Sequence, residues 1–160
     1  MLKQRLILCL LIMLISAQPT IGAQDYSAKL ETVLEKIKTN LAEQKPEWKH
    51  RAIEPMKGSR NVSVNKWESD SRGVRISIIA YASENEAKAE MREFSSETRT
   101  LDRLPTLGNG GYSWGRGGSN IAFRKGDVTI WVSSSVTNLV EGVALSQEFA
   151  SLIAASLATT

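Results

Sequence analysis

The chain has one cysteine and one histidine in 160 residues, and both scarcities restrict its chemistry. Cys9 lies within an apolar leader. With that leader removed the working protein has no cysteine, which excludes disulfides and thiolate metal sites and leaves stability to the core. His50 has no second histidine to join it, whereas a metal site usually needs three or four ligands. No metal or other cofactor is therefore expected.

A basic excess is also missing. The formal charge of +3 includes Lys3 and Arg5 of the leader; without them, 18 of the 20 basic residues stand against 17 acidic ones, a net of +1. The sequence pI of about 9.1 thus overstates how basic the working protein is. Nucleic-acid binding needs a basic patch, and near neutrality argues against it.

The leader reads MLKQR, then LILCLLIMLIS, then AQPTIGA. A basic head, an apolar run and a small residue at Ala23, with Ile21 two positions before it, form the pattern of a signal peptide cut after residue 23. A spanning helix needs about 20 apolar residues, and Gln18-Pro19 interrupts this run. No membrane span is expected after cleavage, and Cys9 lacks the setting of a lipid acceptor. Residues 24–160 are expected to form one exported domain, periplasmic or extracellular.

Within that domain, Leu30, Val33, Leu34, Ile37 and Leu41 draw one stripe on a helix over 26–44. "PEWKHRAIEPMKGS" lacks a clean period and reads as a connector, with room for a helical turn between Pro46 and Pro55. "NVSVNKWES" and "GVRISIIAYA" alternate around Asp70–Gly73 as a β-hairpin. Ser83 followed by Glu86 marks a helix start, with Ala87, Met91 and Phe94 as its buried face. "NIAFRK" and "VTIWVSSS" flank Gly126-Asp127, a second hairpin. Leu145, Phe149, Leu152, Ile153 and Leu157 give a closing helix.

The predicted fold class is α+β: an antiparallel sheet of two or more hairpins with helices packed on one face, in the order α-β-β-α-β-β-α. Residues 61–94 and 120–153 both read as hairpin then helix. Such layers host many functions and assign none.

The densest unusual stretch is "LGNGGYSWGRGGSN", residues 107–120, which holds six of the 11 glycines. A phosphate-cradling loop would have to lead into a helix, and this one leads into a strand with no Gly-Lys-Ser/Thr. Two readings remain. "GYSW" is one more short strand with "GRGG" as its turn, and the glycines serve geometry. Alternatively Tyr112 and Trp114, two apart and so on one face of an extended backbone, form a recognition surface with Arg116 nearby. Trp131 alternates with Ile130 and Val132 and points to the other sheet face, which either a helix or a partner must cover.

His50 with Glu54 one helical turn away could orient an imidazole, and Ser133, Ser134, Ser135 or the serine of "GYSWG" could supply a nucleophile. A charged linker histidine and a strand end account for the same residues. Glu84, Glu86, Glu90, Glu93 and Glu97 alternate with Lys88 and Arg92 as a solvated helix face. Asn61-Val62-Ser63 matches a glycosylation sequon in a predicted strand.

The leading expectation is a non-enzymatic exported domain that binds an unidentified small ligand or an envelope protein through Tyr112, Trp114, Arg116 and Trp131. The alternatives are a small hydrolase using His50 and a serine, and an accessory domain without a small ligand.

Overall fold

Alternation of apolar and polar residues builds the sheet. In β2 (Val62–Ser69) and β3 (Arg72–Ala80) the residues pair antiparallel, with Trp67 opposite Val74 and Asn65 opposite Ile76. Val74, Ile76, Ile78 and Ala80 are fully enclosed on one face, while Arg75 points to solvent on the other. The computed structural model describes residues 26–55, 57–98 and 100–158. The expected leader, its cleavage position and Cys9 lie outside the described residues.

Seven antiparallel strands form one sheet in the order β1-β2-β3-β7-β6-β5-β4. β1 (Lys49–Ile53) pairs with β2 at one edge, and β4 (Asp102–Leu104) with β5 (Gly111–Trp114) at the other. β6 (Asn120–Lys125) and β7 (Val128–Ser135) form the second hairpin, and β7 closes against β3 in the middle. The chain therefore runs out along three strands, crosses to the far edge, and returns along four.

Two helices cover one face. α1 (Ser27–Gln44) buries Leu30, Ile37 and Leu41, and the C-terminal helix α3 (Leu139–Ser156) buries Leu145, Phe149, Ala150 and Ile153. These meet Ile76, Ile78, Ile121, Phe123, Ile130 and Val132 in one core. Each fully buried aliphatic or aromatic side chain here contributes about 1.5–3 kcal/mol. Lys29 ties α1 to the sheet by donating to the Tyr81 carbonyl at 3.1 Å and to the Asp127 carboxylate in the β6–β7 turn.

The middle helix α2 (Glu84–Glu97) is the crossover itself. Ser83 Oγ accepts from Glu86 N at 3.2 Å, and the Glu86 carboxylate accepts from Ala82 N at 3.1 Å, as the capping pattern predicted. Phe94 packs on Trp131, whose neighbours Ile130 and Val132 face the α1–α3 core, so α2 lies over the opposite face. The α+β layering holds, but the helices divide two and one between the faces because α1 and α3 already fill the first.

The sheet is also wider than two hairpins. Residues 49–53, expected as a connector, form edge strand β1; residues 102–104 form the short far edge. α3 begins six residues earlier than its apolar spacing indicated, with Asn138 Oδ1 accepting from Glu141 N. Asn-x-x-Glu was the available signal for that start. The sequon residue Asn61 donates its side-chain amide to the Ala80 carbonyl at 3.1 Å.

Candidate functional site

β5 decides what the glycine-rich stretch does. "GYSW" is a strand, and "GRGG" passes into a tight 3₁₀ turn at Arg116–Gly118 before β6. That turn is held against α3: Ser146 Oγ donates to the Ser119 carbonyl at 2.7 Å. The glycines shape the return from β5 to β6, in line with the geometric reading.

Cross-strand pairing then puts three of the four expected residues on one face of the sheet. Tyr112 stands opposite Ala122, and Ala122 opposite Trp131; Trp114 stands opposite Asn120. Directly paired residues share a face, so Tyr112, Trp114 and Trp131 all point to the α2 side. Trp114, Trp131 and Phe94 meet edge to face, with ring centroids 4.9 Å (Phe94–Trp114), 4.7 Å (Phe94–Trp131) and 5.3 Å (Trp114–Trp131) apart. Both indoles are half-buried, and their remaining surface borders a depression of about 180 Å³ with Arg75, Ser77 and Ser133. Arg116 is not part of this group. It is exposed on the turn and faces a separate hollow beside Ser134 and Asn138.

Tyr112 belongs to a larger space. A cleft of about 400 Å³ opens between α2 and the β4–β5 edge. Lys88, Met91 and Arg92 of α2 form one wall, Arg103 and Pro105 form the other, and Tyr112 and Gly111 form the floor. Arg124 also lines the cleft; its guanidinium donates to Glu84 at 2.6 Å and to the Gly126 carbonyl at 3.0 Å. Asn109 stands at the rim with its side-chain oxygen accepting from Gly126 N at 2.8 Å. No described acidic residue lines the cleft. Reading residues one at a time missed Lys88, Arg92 and Arg103, because α2 shows its charges alternating in sequence and separates them only in three dimensions.

His50 lies on the α1–α3 side of the sheet, away from this cleft. As part of β1 it does not stand one helical turn from Glu54. Its ring packs on Trp67 at 4.7 Å, and Nε2 lies 2.9 Å from Asn65 Oδ1. The Asn65 amide in turn donates to Ser63 Oγ at 2.9 Å. A carboxamide therefore separates this imidazole from the serine nearest along the hydrogen-bond chain, and an amide accepts no proton from a hydroxyl as a base would. Ser134 Oγ donates to the Gly142 carbonyl at 2.7 Å, holding α3 to β7.

Two groups on the sheet have displaced acidities. Burial raises the pKa of Tyr81 from its usual 10.0, opposed by a hydrogen bond with Thr129 and reinforced by Glu90. The Lys66 hydrogen bond holds Glu68 below the usual carboxylate range, aided by the charges of Lys66 and Arg51. Among the described residues no three histidine, cysteine, aspartate or glutamate side chains gather to hold a metal ion, and no helix is long and apolar enough to cross a membrane. No protein-family model, curated protein or solved structure matches the chain.

Proposed function

We propose that this protein is an exported, non-enzymatic domain that binds a small ligand in the cell envelope or outside the cell, and that the α2–β4 cleft floored by Tyr112 is its binding site. The carrying observation is the cleft itself. It has about 400 Å³ of open space, within the range of small-molecule sites at about 300–1,000 Å³. Its floor is a half-buried tyrosine that supplies rigid contact area at low entropic cost. Tyr112 and Trp114 are both half-buried rather than enclosed, which favours a ligand-binding domain over an accessory domain without one. The Asn65 amide between His50 and Ser63 favours binding over hydrolysis.

The test is a thermal-shift screen of the purified protein against sugars, peptides, lipids and small metabolites. A ligand at a hundred times its dissociation constant adds about 2.7 kcal/mol, which for a domain of this size raises the midpoint by several degrees. The expected hit is lost in Tyr112→Ala and kept in Arg116→Ala. A hit that survives Tyr112→Ala places binding elsewhere, and silence across the panel removes the small-ligand reading.

A further inference from the structure

Charge on α2 is sorted by direction. At about 100° per residue, Lys88, Met91, Arg92 and Ser95 fall on one arc, while Glu86, Glu90, Glu93 and Glu97 fall on the opposite one. The first arc lines the cleft. Glu84 is the only acidic residue of α2 on the cleft side, and Arg124 engages it at 2.6 Å. Arg103 joins from β4 across the opening. Among the described residues the heads of Lys88, Arg92 and Arg103 have no ion-pair partner. A domain with a net of only +1 thus gathers four cations around one concave space and leaves three of them uncompensated. A solvated helix face would instead alternate its signs.

We propose that this cleft takes a small oxyanion with at least two anionic groups, a phosphorylated, sulfated or polycarboxylate compound, held between Lys88 and Arg92 on one wall and Arg103 on the other. The inference rests on the binding reading above and names its ligand class. Guanidinium groups on opposing walls suit two separate anionic groups, since each fork can hold one oxyanion through paired hydrogen bonds. Concave walls focus the field of the cations on the space between them. Tyr112 and Met91 contact the ligand's carbon skeleton. The Asn109 oxygen is already used by Gly126 N, so its amide group remains a donor at the rim. The limited volume selects a small molecule over a long polyanion, which the near-neutral remainder of the surface would not hold.

Calorimetric titration of the purified protein with pyrophosphate, citrate, acetate and glycerol tests this. At least one of the two multivalent anions binds at least tenfold tighter than acetate, glycerol does not bind, and added salt weakens the complex. Arg92→Gln combined with Arg103→Gln weakens that binding at least tenfold with an unchanged unfolding midpoint. Lys36→Gln combined with Lys57→Gln, the same charge change away from the cleft, leaves it intact. Equal loss in both double variants, or no preference for multivalent anions, overturns the proposal. A neutral ligand that depends on Tyr112 but ignores Arg92 and Arg103 overturns the anion class and leaves the binding reading standing. Failure of both multivalent anions overturns the anion class, and silence of the thermal-shift panel as well overturns both.

Discussion

Phe94 meets Trp131 edge to face at 4.7 Å, with an angle of 61° between the rings. This contact joins the crossover helix to the centre of the sheet, because Trp131 stands on β7 beside the β3–β7 seam. α2 fully buries only Ala87 and Met91, so the half-buried Phe94, with its two ring contacts, is a substantial part of its attachment. Truncating a core phenylalanine costs about 3–5 kcal/mol, and a half-buried one correspondingly less. Phe94→Ala is expected to destabilise the protein by about 2–3 kcal/mol, including the lost ring–ring contacts. Urea unfolding followed by tryptophan fluorescence measures it. An unchanged midpoint would show that α2 is held by other means.

Much of this packing could be read from the sequence. Ser83 and Glu86 marked the start of α2, Gly126-Asp127 marked the β6–β7 turn, and Tyr112 with Trp114 fell on one face because strand periodicity is two. The side of the sheet that α2 covers could not be read, since it follows from the crossover to β4 and hence from the order of all seven strands. β1 escaped notice because "KHRAI" is an edge strand with three of its five residues exposed, so burial imposes no alternation on it. The cleft escaped for a related reason. Arg103 and Arg124 join Lys88 and Arg92 only through strand pairing, and each alone is an ordinary surface cation.

The glycines of 107–120 make a claim that substitution can check. Gly108 has φ +60, and a Cβ added there would stand 2.5 Å from the Arg124 carbonyl oxygen. Gly126 has φ +57 with nothing within 4 Å. Both substitutions impose left-handed strain of about 1–2 kcal/mol, but only Gly108→Ala also forces the loop off β6. Gly126→Ala is expected to cost about 1 kcal/mol and Gly108→Ala about 2–4 kcal/mol. Thermal denaturation of the pair decides it; equal losses would mean that the close approach to Arg124 is not what the glycine serves.

His50 offers a direct contrast between structure and catalysis. Asn65 is fully buried and uses the imidazole as the partner of its side-chain oxygen. Removing the ring leaves that oxygen unsatisfied, at a cost of about 1–3 kcal/mol. His50→Ala is expected to lower stability by this amount, and His50→Gln, which can still donate, to recover part of it. Ester hydrolysis is expected from neither the wild type nor the variants. Wild-type activity lost in His50→Ala without loss of stability would restore the hydrolase reading.

Tyr81 sets the expected response to alkali. Burial, the leading cause, favours the neutral phenol and raises its folded-state pKa above the usual 10.0. The folded state therefore holds this proton more tightly than the unfolded chain. The resulting stabilisation is complete below pH 10 and is lost as pH rises past 10 through the folded-state value. Replacing Tyr81 by phenylalanine removes the ionisation and keeps the ring, at the expense of the 3.5 Å contact between its hydroxyl and Thr129. Relative to Tyr81→Phe, the wild type is expected to lose stability as pH rises from about 9 to about 11 and to show no such relative loss below about pH 9. Parallel urea titrations across that range supply the comparison. Wild-type and variant curves that stay parallel through pH 11 would show that the phenol is as easily ionised in the folded protein as in the unfolded chain.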